Sequence, residues 1–157
     1  MSPSRQPFRD DLVEAVGSAM QQYQRSVQAF DDAVGRLLHL GPSDLRCLDW
    51  LVDGPKTAGQ LSTATGLRPA ATTALVDRLA KRGLVRRRRS ETDRRAVLVE
   101  MTEQGHALTW QAYGPLVAAG RPMLDELSPD QLTFMTDFLH RITALTDDHR
   151  DRLGPRD

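Results

Sequence analysis

The amino-acid sequence predicts a mainly α-helical fold with one small β-hairpin. Apolar residues recur at steps of three, four or seven through most of the 157 residues, which is the periodicity of amphipathic helices. The period changes to two only between residues 84 and 101, where two short strands are predicted on either side of a polar turn. A chain of this length fits one ordinary domain or two small lobes that share a core.

Residues 8–39 are predicted to form one long first helix. Gly41 and Pro42 end it, and Ser43 is expected to cap a short second helix with Asp44 in its first turn. No proline interrupts the apolar stripe of the first helix, which consists of Leu12, Val16, Tyr23, Val27, Phe30, Val34 and Leu37.

The next two helices form a closely spaced pair. Thr57 is expected to cap the third helix, with Gln60 as its capping-box partner, and Gly66 breaks the chain after it. The fourth helix is predicted over residues 69–82, with Pro69 tolerated in its first turn. Its predicted apolar stripe is Ala71, Leu75, Val76 and Leu79.

The hairpin and the last helices follow. Strands are predicted over residues 84–88 and 96–101, with a polar basic tip between them. Thr102 is expected to cap a fifth helix that kinks or breaks near Pro115, and Ser128 to cap a last helix whose charged end frays beyond Asp147. The stripe of that last helix is Leu132, Met135, Phe138, Leu139, Ile142 and Leu145.

The charge of this neutral chain is unevenly distributed. Residues 66–100 contain ten basic and four acidic residues, a net charge of +6, so the remainder carries −6. Such a patch in a neutral protein favours a positioned polyanion site, the alternative being a solvated charged face. The basic residues are Arg68, Arg78, Lys81, Arg82, Arg86, Arg87, Arg88, Arg89, Arg94 and Arg95.

Helix, glycine turn, second helix and basic hairpin together follow the winged helix-turn-helix plan. The second helix of such a pair fits the major groove of B-DNA, and a cationic hairpin tip reaches the backbone or the minor groove. Lys81, Arg82, Arg86 and Arg87 are expected to neutralise phosphates.

Several motifs at fixed spacing resemble the multiple-antibiotic-resistance regulator (MarR) family. They are the segment 57–67, VDRL at 76–79, KRGLV at 81–85 and DRR at 93–95, followed by MTEQG at 101–105. The resemblance covers about fifty residues closely, and the flanking helices match the dimerisation region of the family in placement and length.

The resemblance implies a homodimer that binds double-stranded DNA at a pseudo-palindromic operator. We expect a winged helix-turn-helix over residues 43–105 and a dimerisation region formed by 1–42 and 106–157. Apolar stripes on the first and last helices, which one small winged domain cannot cover, also favour a dimer. We expect a repressor, although activation stays open, and a small aromatic or weak-acid effector that releases the DNA.

The resemblance also assigns roles at the hairpin tip. Arg95 matches the arginine that enters the minor groove, and Arg94 is a second candidate. Asp93 is expected to hold the arginine by a charge-assisted hydrogen bond, the alternative being a simple turn residue.

The predicted recognition helix departs from the family, which often has Ser-Thr-Val-Thr-Arg where this chain has AATTA at 70–74. Thr72 and Thr73 retain hydroxyls for bases or, alternatively, for phosphates only, and Arg68 is a candidate for a guanine contact. Otherwise specificity depends on DNA shape and the hairpin. The predicted DNA-binding residues are Arg68, Pro69, Ala70, Thr72, Thr73, Arg78, Lys81, Arg86, Arg87, Arg88, Arg89, Asp93, Arg94 and Arg95.

Cysteine, histidine and aromatic residues outside these motifs are candidate sensors. Cys47, the one cysteine, lies among apolar neighbours and is expected to be a buried small hydrophobe and not a redox switch. The four histidines have no metal-ligand spacing, so neither a metal nor a cofactor is expected. Candidate effector-binding residues, for which core packing is the alternative, are His39, Trp50, Trp110 and Tyr113.

The sequence also bears on other function classes, namely enzymes, membrane proteins and other binding modules. No phosphate loop, nucleophile motif or metal cluster is found, which disfavours an enzyme. The polar N-terminus and the lack of an apolar run of 18 residues predict a cytoplasmic protein without a membrane span. The alternative function is a winged helix that binds DNA non-specifically as an architectural factor, or that binds protein.

Overall fold

The computed structural model describes residues 7–93 and 95–153, and it contains six helices and three strands within them. In chain order these are α1 (Pro7–Leu38), α2 (Pro42–Val52), β1 (Lys56–Thr57), α3 (Ala58–Thr65), α4 (Pro69–Lys81), β2 (Val85–Arg89), β3 (Val97–Met101), α5 (Glu103–Asp125) and α6 (Pro129–Leu153). The predicted mainly α-helical fold class with a hairpin wing is confirmed. No helix in these two ranges is long and apolar enough to cross a membrane.

The chain divides into two compact units, Met1–Ala112 and Tyr113–Asp157. The first unit contains the core, where α2, α3 and α4 pack with the antiparallel sheet β1-β3-β2. Ten side chains are almost fully buried in it, namely Leu48, Leu51, Leu61, Leu75, Leu79, Leu84, Val76, Val99, Thr72 and Cys47. The second unit consists of the rest of α5 and of α6, and within this single chain α6 has no buried residue.

The corner between α1 and α2 differs in detail from the prediction. His39 ends α1 in the left-handed region with a φ of 53°. Because Pro42 is the first residue of α2, the cap is Gly41 and the predicted cap Ser43 is wrong. The Asp44 carboxylate accepts a hydrogen bond from the Gly41 amide at 2.9 Å, so this side chain closes the first turn.

The capping signals of α3 are confirmed. Gln60 N donates to Thr57 Oγ1 at 3.2 Å and Thr57 N donates to Gln60 Oε1 at 2.8 Å, which is a reciprocal capping box. Gly66 then adopts the left-handed conformation, with a φ of 69°, that ends the helix. The short turn places α4 directly after α3.

The predicted stripe of α4 needs one correction. Ala71 is exposed, and Thr72 is buried in its place. The buried positions Thr72, Leu75, Val76 and Leu79 follow the i, i+3, i+4, i+7 pattern of one helix face. The first turn of α4 is therefore rotated by one residue from the prediction, and Ala71 belongs to the outer face.

The hairpin forms within one residue of its predicted bounds. β2 and β3 pair antiparallel, with Arg86 opposite Glu100 and Arg88 opposite Leu98. The two-residue strand β1 was not predicted; it pairs with the other edge of β3, where Thr57 lies opposite Leu98. This third strand ties the start of α3 to the hairpin.

Of the kink or break that was expected near Pro115, the break does not occur. α5 is capped by Thr102 as expected, since Gly105 N donates to Thr102 Oγ1 at 3.0 Å, but the helix continues unbroken through Pro115. A proline removes one helical hydrogen bond, which the flanking turns of a 23-residue helix tolerate here. The Ser128–Gln131 capping box is confirmed.

The charged end of α6 is helical as far as Leu153, where fraying was expected. Arg150 Nη1 lies 2.8 Å from Asp147 Oδ1, and Arg152 Nη2 lies 2.6 Å from Asp148 Oδ2. Each pair joins residues three or four positions apart, which are neighbours on the helix surface, and so supports the last turns.

Candidate nucleic-acid interface

The outer face of α4 is exposed along its first turns. Arg68, Pro69, Ala70 and Thr73 are all exposed, and Arg68 is the residue immediately before the helix. Thr73 Oγ1 donates to Pro69 O at 3.1 Å, which leaves its lone pairs available as acceptors. A helix N-terminus of this kind carries a partial positive charge that favours phosphate groups.

Thr72 does not belong to this exposed face, so the prediction that it contacts DNA does not hold. Its side chain is 1% exposed, and its hydroxyl donates to Arg68 O at 3.2 Å. A hydroxyl that is buried and already bonded cannot reach a base edge. Of the two threonines, only Thr73 remains available.

Acidic side chains of the first unit pair with the predicted DNA-binding arginines on β2. Glu100 on β3 accepts hydrogen bonds from the Nε atoms of both Arg86 and Arg88, each at 2.7 Å. Arg87 Nη1 lies 2.7 Å from Asp77 Oδ1 of α4. These bonds hold the pKa of the Glu100 carboxyl below its usual range, Arg86 contributing most and Arg88 next. The stem of the hairpin therefore carries much less unpaired positive charge than its sequence suggests.

The turn at the hairpin tip is built by side chains that bond to the backbone. Asp93 Oδ1 accepts from the Arg95 amide at 2.9 Å, and Ser90 Oγ accepts from the amides of Thr92 and Asp93. The Asp93 carboxylate therefore holds a backbone amide, as the turn-residue alternative predicts, and its bond to an arginine side chain stays a prediction. Arg95 is exposed, and Arg94 lies outside the described residues.

Within the described part of the basic segment 66–100, four exposed cations have no side-chain hydrogen bond or ion pair. They are Arg68 before α4, Lys81 at its end, Arg89 at the end of β2 and Arg95 at the tip. Cations without an internal partner lose least when they bind a phosphate, because no existing bond must break. These four are the strongest candidates for contact with a polyanion.

Two further arginines of α4 have internal roles that the sequence did not reveal. Arg78 Nη2 lies 2.5 Å from Asp44 Oδ1, and the Asp44 side chain is only 7% exposed while that of Arg78 is 55% exposed. Arg82 donates to His39 O at 2.7 Å and to Leu38 O at 2.8 Å. Arg82 thus caps the end of α1, while its role at phosphates stays a prediction, and Arg78 first of all compensates a buried carboxylate.

Of the partners that sequence reasoning missed, one had a usable signal. Glu100 lies opposite Arg86 in the register that the predicted hairpin already fixes, and opposite charges in that position attract. Asp44 and Asp77 had no comparable signal, because their partners come from other elements.

Comparisons with known proteins agree with this geometry. A family model described as the MarR family matches residues 40–96. The uncharacterized HTH-type transcriptional regulator YcgE of Bacillus subtilis (strain 168) is 32% identical over 125 residues, which cover 79% of this chain and 81% of YcgE. The chain belongs to the MarR family of transcriptional regulators.

Solved structures have the same fold as this MarR-family regulator. A MarR family transcriptional regulator from Silicibacter pomeroyi DSS has a TM-score of 0.65 at 23% identity and covers 94% of this chain and 99% of its own. The transcriptional regulator BldR from Sulfolobus solfataricus has a TM-score of 0.55 at 28% identity and covers 87% of this chain and 99% of its own.

The candidate effector-binding residues of this MarR-family chain lie in both units. His39, Trp50 and Trp110 are in the first unit, and all three are exposed, which disagrees with the core-packing alternative for the single chain. Tyr113 is the first residue of the second unit and is partly buried. Their role in binding an effector stays a prediction.

Cys47 is a core residue, as predicted. Its side chain is fully buried on α2 among the helices of the first unit. Burial, with a smaller contribution from the charge of Asp44, raises the pKa of the thiol to about 12. A thiol in this state is protonated at neutral pH, which disfavours oxidant sensing.

Proposed function

We propose that this MarR-family chain is a sequence-specific DNA-binding regulator that acts as a homodimer, with repression as its action. The observation that carries the proposal is the exposed first turn of α4, together with four unpaired cations: Arg68 before this turn, Lys81 at the end of α4, Arg89 at the end of β2 and Arg95 at the hairpin tip. A helix end and a hairpin tip of this charge match the major groove and the adjacent backbone or minor groove of B-DNA.

Each protomer supplies a sparse set of groups for base contact. Arg68 can form a bidentate contact with guanine, and Thr73 offers a hydroxyl and a methyl group. Because Ala70 and Ala71 offer only methyl contacts, shape and hairpin contacts must contribute to specificity. Arg95 is proposed to enter the minor groove, whose negative potential attracts an arginine.

The dimer is proposed from apolar side chains that the single chain leaves exposed. On α1 the exposed stripe includes Leu12, Val16, Tyr23 and Val27, and α6 exposes a second stripe that includes Leu139 and Leu145. Faces of this kind mark a contact surface in a protein of this size. We therefore propose residues 1–42 and 106–157 as the dimerisation region, and a two-fold symmetric dimer would bind a pseudo-palindromic operator.

A small effector is the third part of the proposal. The exposed side chains of His39, Trp50 and Trp110, all in the first unit, suit an aromatic or weak-acid molecule that shifts the protein away from its DNA-bound state, and Tyr113 of the second unit stays a separate candidate. A regulator of this kind works in the cytoplasm, where its operator lies.

The first test is DNA binding. Purified protein is titrated with the intergenic DNA beside its own gene and with unrelated DNA of equal length at physiological salt, while light scattering measures its mass. A specific dimer should prefer one DNA by about a thousandfold or more. Equal binding to both DNAs would favour the alternative of a non-specific architectural factor, which the alanine-rich first turn of α4 also supports. No binding to either DNA would favour a protein-interaction module.

A second test addresses the hairpin tip. Arg95→Ala should weaken operator binding about 5- to 150-fold, equivalent to ~1–3 kcal/mol, without changing the far-UV spectrum. Arg121→Ala is the control, because it removes the same charge from an exposed arginine of α5, and light scattering checks that this variant in the proposed dimerisation region keeps the wild-type mass. Equal effects of the two substitutions would remove Arg95 from the interface.

A further inference from the structure

Glu100 forms a clamp between the two arginines that share the outer face of the hairpin stem. Its Oε1 accepts from Arg86 Nε and its Oε2 accepts from Arg88 Nε, each at 2.7 Å. The Glu100 side chain is only 16% exposed, so it lies beneath the two guanidinium groups and is poorly accessible to solvent. Charge-assisted bonds at this distance from a partly desolvated carboxylate are stronger than pairs between exposed groups.

Of the two arginines, Arg88 has more of its hydrogen-bond donors engaged within the protein. Besides its bond to Glu100, its Nη1 donates to Arg89 O at 3.3 Å and lies 3.9 Å from Glu91 Oε1, and its side chain is 35% exposed. Arg86 has its Nε bonded and remains 69% exposed. Arg86, Arg88 and Glu100 together carry a net charge of +1. Most of the accessible positive charge is on Arg86, which is the more exposed of the two arginines.

A phosphate that approaches the Nε edge of either guanidinium group must compete with Glu100. Exchange of one anion for another at the guanidinium groups gains little, and it leaves a partly buried carboxylate unpaired beside the phosphate. By contrast, the cations before α4 and at the hairpin tip carry no such carboxylate, so their contact with DNA costs no internal bond.

We propose that Glu100 determines specificity by keeping Arg86 and Arg88 from full phosphate contact. Since phosphate contacts strengthen binding to every sequence alike, a stem with free arginines would raise non-specific affinity more than operator affinity. Glu100 thereby lowers the affinity for unrelated DNA, from which α4 and the hairpin tip distinguish the operator. This inference rests on the proposed DNA-binding function and extends it to a residue outside the predicted DNA-binding set.

The decisive variant is Glu100→Gln, which keeps the size of the side chain and one acceptor oxygen but removes the charge. Binding of the full-length protein to unrelated duplex DNA is measured between 50 and 200 mM salt. We expect tighter non-specific binding by about threefold or more at low salt, and a steeper log–log salt dependence, by about 0.9 for each new phosphate contact. The operator-to-unrelated affinity ratio should fall.

The matched control is Glu91→Gln. Glu91 lies on the same hairpin, its side chain is 92% exposed, and it is 3.9 Å from Arg88, so the substitution adds the same charge without opening the clamp. We expect a smaller change in affinity and a salt slope close to that of the wild type. Equal slopes for the two variants would show a general charge effect and overturn the clamp.

A double-mutant cycle gives a readout that net charge alone does not change. Arg88→Gln should weaken non-specific binding more in the Glu100→Gln protein than in the wild type, because only the former has a released Arg88. Additive effects would contradict sequestration. Thermal unfolding of each variant identifies losses that come from misfolding.

Failure of this inference and failure of the proposed function give different results. Wild-type protein that prefers its operator, together with unchanged or weaker non-specific binding by Glu100→Gln, overturns the clamp alone. Wild-type protein that binds neither DNA overturns both.

Discussion

Gly105→Ala tests how closely α5 approaches the start of the hairpin. A Cβ atom on Gly105 would lie 2.2 Å from Leu84 O and 2.7 Å from Met101 Cγ, whereas ordinary contact begins near 3.4 Å. The Cβ atom would therefore lie about 1.2 Å closer to Leu84 O than ordinary contact allows. Because Leu84 O belongs to the backbone, it cannot rotate away as a side chain could. Either the first turn of α5 or the Leu84 peptide must move.

The cost follows from what that movement breaks. Leu84 O accepts a hydrogen bond from Thr102 N at 3.0 Å, and a buried carbonyl that loses its donor costs ~1–3 kcal/mol. Overpacking against Leu84 and Met101 adds ~1–3 kcal/mol, and the better helix propensity of alanine returns up to ~1 kcal/mol. We expect a net loss of about 3 kcal/mol in the free energy of unfolding, a large fraction of a typical domain's stability.

The assay is urea unfolding followed by far-UV circular dichroism at one fixed protein concentration, so that subunit association does not differ between samples. Gly59→Ala in α3 is the matched control, because its Cβ would meet only Thr57 Oγ1 at 3.9 Å. We expect this control to gain ~0.5–1 kcal/mol. A Gly105→Ala protein within ~0.5 kcal/mol of the wild type would refute the close-approach argument.

Three shorter predictions follow from the site. Thr72→Val should leave DNA affinity within about twofold, because the buried hydroxyl makes no base contact, and a tenfold loss in a binding titration would return Thr72 to the interface. Cys47 should react with a thiol reagent near pH 7 no faster than the protein unfolds, and rapid labelling of native protein would contradict its burial. Because Arg86 and Arg88 lower the pKa of Glu100, this carboxylate contributes stability that is complete above its unfolded-state pKa and is lost as the pH falls through the lower folded-state value. Urea unfolding below about pH 5 should therefore show a smaller acid-induced loss for Glu100→Gln than for the wild type, and parallel pH profiles would count against the ion pairs.

Features set by neighbouring residues were predictable from sequence. The capping box of Thr57 and Gln60 and the cap at Thr102 involve partners three residues apart, so the signal lies within one helical turn. The hairpin was found from its change of period and its polar tip. The predicted cap at Ser43 failed because Pro42 takes the first helical position, which moves the cap one residue back.

Features set by packing were not predictable in the same way. Ala71 and Thr72 are adjacent and small, so hydrophobicity favoured the alanine, whereas the core accepted the threonine with its hydroxyl bonded to Arg68 O. The strand β1 exists because its two residues meet β3, about forty positions away in the chain.

The charge of the candidate interface was the hardest property to predict. Ten basic residues in the segment 66–100 indicated a polyanion site, but sequence alone could not say which of them have partners inside the protein. Asp44 pairs with Arg78 across 34 positions, and Glu100 bonds to two arginines, of whose two charges it offsets one. The cations available for contact with a polyanion are those without a partner inside the protein, and only three-dimensional packing identifies them.

The two arginines that connect α4 to the corner between α1 and α2 have a mechanical consequence. Arg82 binds the last carbonyls of α1 across 43 and 44 positions, and Arg78, one helical turn earlier, binds Asp44 at the start of α2. A rotation of α4 by a single residue, about 100°, would break these bonds together. We therefore expect the end of α1 and α4 to move together, so that the angle at which α4 would enter a DNA groove depends on the position of α1.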